Sequence, residues 1–143
     1  MRDATELKKK ILVVDDEPDV VSYLEMVLHD HGYGTISARN GQEAMALVRT
    51  ERPDLITLDI SMPEASGTRF YKDLKKDPDL APIPVLIVTA VTGYGGDPYG
   101  YEKFMKGRKI VPPPEGFFPK PIEPERLLDA VDGLLVPAKA GTD

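Results

Sequence analysis

Ile11-Leu12-Val13-Val14-Asp15-Asp16-Glu17-Pro18 is the stretch that decides how the chain folds. Its unbroken apolar run predicts a strand buried on both faces, the pattern of a parallel sheet with helices on each side. The run stops at two adjacent carboxylates. Pro18 then opens a helix in which Val20, Val21, Leu24, Val27 and Leu28 recur at helical spacing until Gly32. Strand, acidic strand end and helix follow one another directly, as in the first half of a βαβ unit.

The same alternation continues outward. Residues 1–9 are polar and expected to be flexible, with structure beginning near Lys10. Gly34 to Ala38 forms a short second strand, and Asn40-Gly41-Gln42-Glu43 has the form of an N-cap with a capping-box partner ahead of Ala44, Leu47 and Val48. Leu55-Ile56-Thr57-Leu58 and Val85-Leu86-Ile87-Val88 are two further buried strands, separated by a helix holding Phe70 and Leu74, with Pro82 and Pro84 marking entry to the second. Between Thr92 and Gly116 the pattern loosens. Asp97-Pro98 offers a start for a short helix that places Tyr101, Phe104 and Met105 on one face and ends at Gly107. Phe117-Phe118 reads as a very short strand. Glu123-Pro124 opens a last helix lined by Leu127, Leu128, Val131, Leu134 and Leu135, and residues 137–143 read as a tail. The expected fold class is α/β, a doubly wound five-stranded parallel sheet with helices on both faces, and ligands belong beyond the carboxyl ends of its strands.

The 143 residues, 41 % of them hydrophobic, suit one domain with a sizeable core. With no cysteine there is no disulfide framework, thiolate metal site or cysteine nucleophile. A net charge of −6 argues against a generally basic nucleic-acid surface, and no apolar run approaches a membrane span or signal-peptide core. A soluble cytoplasmic protein is expected. His29 and His31 close a helix as surface or cap residues, and Glu17, Asp19 and Glu64 are expected to be solvated acids at the rim.

Chemistry concentrates at the strand ends, where Asp15-Asp16, Asp59, Thr89-Ala90 and Lys120-Pro121 each follow an apolar run. Carboxylates gathered in one crevice repel one another unless a hard cation joins them, and all-oxygen ligands of this kind suit magnesium. A lysine and a threonine hydroxyl on the opposite rim supply what is needed to hold phosphate oxygens during in-line transfer. A carboxylate between metal and lysine can then act as nucleophile.

The paired acids, the acid ending the third strand, Met62-Pro63 and Gly67 after it, Thr89-Ala90 and Lys120-Pro121 together resemble the receiver domain of bacterial response regulators, over roughly Lys10 to Val136. The resemblance implies a stand-alone receiver at 10–136 with strand order 2-1-3-4-5 and an extended fourth-helix region at 92–116. It makes Asp59 the phosphoacceptor. Magnesium would be held by Asp16, Asp59 and the backbone carbonyl of Ser61, with Asp15 in an outer or water-mediated role. It implies that Lys120 pairs with Asp59 or its phosphate, that the Thr89 hydroxyl moves toward the phosphoryl oxygens past the small Ala90, and that Phe117 is the aromatic switch residue. Lys120-Pro121 is a candidate cis peptide. An apolar Val91, two residues after Thr89, points to slow self-hydrolysis of the phosphoprotein.

On this reading the chain is a phosphoacceptor signalling domain and not an enzyme proper, its donor a histidine kinase or phosphotransfer protein and its output a downstream protein. The stretch between Thr89 and Lys120 is longer than the family shows. Within it, Glu102 to Ile110 carries four cations and one acid, interleaved with aromatics. That makes residues 92–118 a candidate surface for the partner or for a homodimer; a longer loop covering the sheet is the plainer alternative, and the acidic remainder disfavours nucleic acid. Two rival functions stand beside this one: a receiver-shaped interaction module that works without phosphorylation, and a magnesium-dependent phosphohydrolase with an aspartyl nucleophile. The second would show two acids flanking one residue at the first strand end, where Asp15 and Asp16 are adjacent.

Overall fold

In the first strand, β1 (Lys10–Val14), every residue from Ile11 to Val14 is buried, and alternate side chains enter two different cores. Leu12 and Val14 pack with Ala44, Val48, Phe70, Tyr71 and Leu74 on one side of the sheet. Ile11 and Val13 pack with Leu24, Leu28, Leu127 and Val131 on the other. The computed structural model describes residues 8–63, 66–90 and 113–136, with the side chains of Thr89 and Ala90 outside that description. In chain order the elements are β1, α1 (Pro18–Asp30), β2 (Gly34–Ala38), α2 (Gly41–Glu51), β3 (Leu55–Leu58), α3 (Ser66–Lys76), β4 (Val85–Ala90), β5 (Gly116–Lys120) and α4 (Pro124–Leu135). All strand pairings are parallel and the sheet runs β2-β1-β3-β4-β5, as expected. Helices α2 and α3 cover one face while α1 and α4 cover the other. The short helix expected after Pro98 and the tail at 137–143 lie outside the described residues.

Local chemistry sets the element boundaries. Pro18 occupies the first turn of α1, and Glu17 precedes it as an N-cap whose side chain makes no cap bond. Asn40 caps α2 by accepting from Glu43 N at 2.8 Å, but the return arm of the expected capping box lands one residue early: Glu43 Oε1 accepts from Arg39 N at 2.8 Å. Strand β5 is longer than Phe117-Phe118, because its pairing with β4 runs from Leu86↔Gly116 to Ala90↔Lys120. Among the described residues β5 is an edge strand, the place in a sheet where a proline such as Pro119, which lacks an N–H, is tolerated. By the same pairing Thr89 and Ala90 belong to β4 itself.

Candidate phosphoacceptor site

Strand register brings the acids together. Val14 pairs with Leu58, and the ladder goes one step further through Asp59 N to Val14 O at 3.0 Å, so Asp15 and Asp59 leave neighbouring strands side by side. Asp15 N is tied in turn to Ala38 O at 3.1 Å. Both carboxylates are buried, Asp15 at 1 % and Asp59 at 2 % exposure, while Asp16 is exposed. One carboxylate oxygen from each of the three lies within 4.8 Å of the others. Asp16 also lines a groove of about 850 Å³ between α2 and α3, together with Met45, Met62 and Phe70.

The two oxygens of Asp59 have different company. Oδ1 accepts from Ser61 N at 2.8 Å and from Ser61 Oγ at 2.6 Å, whereas Oδ2 faces Lys120 Nζ at 3.5 Å. Asp15 is divided in the same way: Oδ1 accepts from Glu17 N at 2.9 Å, and Oδ2 lies 3.0 Å from Lys120 Nζ without a directed hydrogen bond. Burial is the main force raising the Asp15 carboxyl above its ordinary pKa, with the charge of Asp59 adding to it against the Glu17 N–H and Lys120. For Lys120 burial works to lower the pKa, but Asp59, Asp15 and Glu17 outweigh it and raise the ammonium above its usual value. The cluster therefore holds more negative charge than one lysine balances. A buried carboxylate oxygen lacking a hydrogen-bond donor, beside two more carboxylates, is a donor set that fits a hard divalent cation of the magnesium type.

The other expected residues fall near by. Lys120 ends β5 opposite Ala90, and its peptide bond to Pro121 is cis. Thr89 stands in β4 opposite Pro119; its hydroxyl lies outside the described side chains. Phe117 is half-buried against the core on the α2–α3 side, opposite Ile87. Two contacts were not anticipated. The Ser61 side chain, and not only its backbone, engages Asp59, and Glu17, expected to be a solvated rim acid, pairs with Lys120 at 3.3 Å while remaining 62 % exposed. A hydroxyl two residues beyond a strand-end acid is a readable signal for the first. A contact between residues so far apart in sequence gives none for the second. Among the described residues, no helix is long and apolar enough to cross a membrane.

Comparison with known proteins agrees with this fold. Residues 11–132 match the family model described as the response regulator receiver domain. The polar-differentiation response regulator DivK of Brucella anthropi is 35 % identical over 129 residues, 90 % of this chain and 98 % of that protein. Protein PilH of Pseudomonas aeruginosa is 32 % identical, covering 88 % of this chain and 97 % of its own. Among solved structures, the signal receiver domain of a signal transduction histidine kinase from Syntrophus aciditrophicus superposes with a TM-score of 0.77 at 32 % identity, over 94 % of this chain and 96 % of that one. The chemotaxis protein CheY4 of Vibrio cholerae gives 0.74 at 28 % identity, over 90 % and 99 %.

Proposed function

The chain belongs to the response-regulator receiver family, whose members are signalling domains, and from that premise we propose that it accepts a phosphoryl group on Asp59 and changes its surface for a protein partner. The observation that carries the proposal is the division of the Asp59 carboxylate: Ser61 holds Oδ1 through two hydrogen bonds, leaving Oδ2 turned toward Lys120 as the nucleophile.

Asp15, Asp16, Asp59 and the backbone carbonyl of Ser61 are the groups that would hold magnesium, which when bound supplies positive charge to the transferring phosphoryl oxygens. Asp59 Oδ2 forms the new O–P bond as the donor's P–N bond to a histidine ring breaks, the electron pair returning to the imidazole. Lys120, whose ammonium Asp59, Asp15 and Glu17 favour against the cost of burial, meets the negative charge that develops on the phosphoryl oxygens. The hydroxyl of Thr89 closes on the product, and Phe117 shifts its packing in response, so the acyl phosphate favours one of two surface states. We assign the receiver to residues 10–136, the donor to a histidine kinase or phosphotransfer protein, and the partner surface to residues 92–118.

The test is to incubate the protein with magnesium and a small phosphodonor and weigh it intact. A gain of one phosphoryl group that needs the metal and disappears in Asp59→Asn supports the proposal. No gain in the native protein, from a small donor or from a cognate kinase, would leave the phosphorylation-independent module as the better reading.

A further inference from the structure

Lys120 Nζ stands among three carboxylates, 3.0 Å from Asp15 Oδ2, 3.3 Å from Glu17 Oε1 and 3.5 Å from Asp59 Oδ2. Among the described residues, the contact with directed hydrogen-bond geometry is the one to Glu17. Phosphotransfer accounts for the other two acids and leaves Glu17 without a role. Its backbone is fixed at the head of α1 by the bond from Glu17 N to Asp15 Oδ1, at 2.9 Å. Its side chain, free of any cap bond, reaches from the first strand end to the last to meet the lysine.

Resting on the phosphoacceptor reading above, we propose that Glu17 is the positioning residue of Lys120 and sets which phosphodonors the site accepts. Its carboxylate holds the ammonium toward the mouth, away from Asp59 Oδ2, and adds a negative charge where the donor enters. Donors with a cationic leaving group, such as a protonated phosphoramidate or a phosphohistidine, tolerate that charge. A dianionic acyl phosphate is opposed by it and meets a lysine already partly neutralised. In both cases Asp59 Oδ2 forms an O–P bond. Acetyl phosphate breaks its P–O bond and releases acetate with the electron pair; phosphoramidate breaks its P–N bond and releases ammonia with the pair.

The experiment compares pseudo-first-order phosphorylation rates with acetyl phosphate and with phosphoramidate, in magnesium, for the native protein, Glu17→Gln and Glu17→Asp. An exposed charge acts weakly and is screened by salt, so Glu17→Gln is expected to speed acetyl phosphate about three- to fivefold at low ionic strength and phosphoramidate by less than about twofold. The gap should shrink in high salt, and Glu17→Asp should keep the native ratio. Calorimetric magnesium titration should give affinities within about threefold for native protein and Glu17→Gln, since Glu17 directs the lysine and does not bind the metal. Equal acceleration of both donors, an unchanged ratio, or a loss of about tenfold or more in magnesium affinity overturns the inference while leaving Asp59 as acceptor. Failure of the native protein to take up phosphate from either small donor overturns the inference, and failure with a cognate kinase as well overturns both readings together.

Discussion

Gly67, in the first turn of α3, lies directly against the backbone of Asp59. A Cβ at Gly67 would meet the Asp59 carbonyl oxygen closer than packed atoms tolerate, and would also press on Ile60 Cα at 3.0 Å and Asp59 C at 3.3 Å. Helix α3 can therefore sit on the end of β3 only if the residue there has no side chain, and the position of Asp59 depends on it.

Gly67→Ala should accordingly disturb the acceptor as well as the fold. The neighbours to be displaced are main chain and not flexible side chain, so overpacking is expected to cost about 1–3 kcal/mol. The phosphorylation rate should fall as well, because the main chain that must shift carries the acceptor. Urea denaturation and donor kinetics on the same sample check both halves; native stability in the variant would contradict the packing account.

Asp15 should show opposite effects on stability and metal binding. Its carboxylate is buried beside Asp59, with burial the main cause of its raised pKa. Asp15→Asn keeps the acceptor for Glu17 N–H and removes the charge. In chelator the variant should melt higher than the native protein by about 1 kcal/mol, roughly 4 °C. The native protein should gain stability on adding magnesium and the variant should gain far less. Thermal scans with and without the metal decide it.

At the opposite end of the sheet, Tyr33 donates its hydroxyl to Asp132 Oδ1, and His31 Nε2 lies 2.9 Å from Asp132 Oδ2, tying the turn after α1 to α4. The Tyr33 hydroxyl, and then His31, hold the Asp132 carboxyl below its ordinary value of 3.8. Burial, and then Asp132, push the Tyr33 phenol well above its ordinary 10.0. A depressed carboxyl contributes stability that is present above its unfolded pKa and lost as pH falls through the folded one. A raised phenol contributes stability that is complete below pH 10.0 and lost as pH climbs beyond it. Tyr33→Phe should cost about 1–2 kcal/mol at pH 7 and flatten both limbs of a plot of Tm against pH. An unchanged alkaline limb would refute the assignment.

Phe117 offers a direct view of the proposed switch. The chain contains no tryptophan, so Phe117→Trp introduces a single indole at a half-buried position against the core. Its emission should shift when magnesium and acetyl phosphate are added and stay constant when Asp59→Asn is present as well. A constant spectrum in a protein shown to be phosphorylated would remove Phe117 from the switch.

The fold was legible where one strand's residues suffice to define it. Ile11 to Val14 and Val85 to Val88 announce strands buried on both faces, and register then delivers Asp15 and Asp59 to the same point. What escaped were contacts between distant parts of the chain. Tyr33 with Asp132, and Glu17 with Lys120, are separated by 99 and 103 positions, and neither residue type announces its partner. Gly67 was recognisable as part of a family pattern, but its reason, the close approach to Asp59, needs the packed helix. The end of β5 was hidden by Pro119, which reads as a strand breaker until the strand is known to lie at an edge.

The central claim is that one carboxylate becomes an acyl phosphate. Borohydride reduces an aspartyl phosphate to the corresponding alcohol, so treating the phosphorylated protein with it and sequencing the peptides by mass spectrometry locates the acceptor. The account predicts the reduced side chain at position 59 alone and none without magnesium. Modification at Asp15 or Asp16 with Asp59 untouched, or no reduced residue in a protein that carries phosphate, would contradict it.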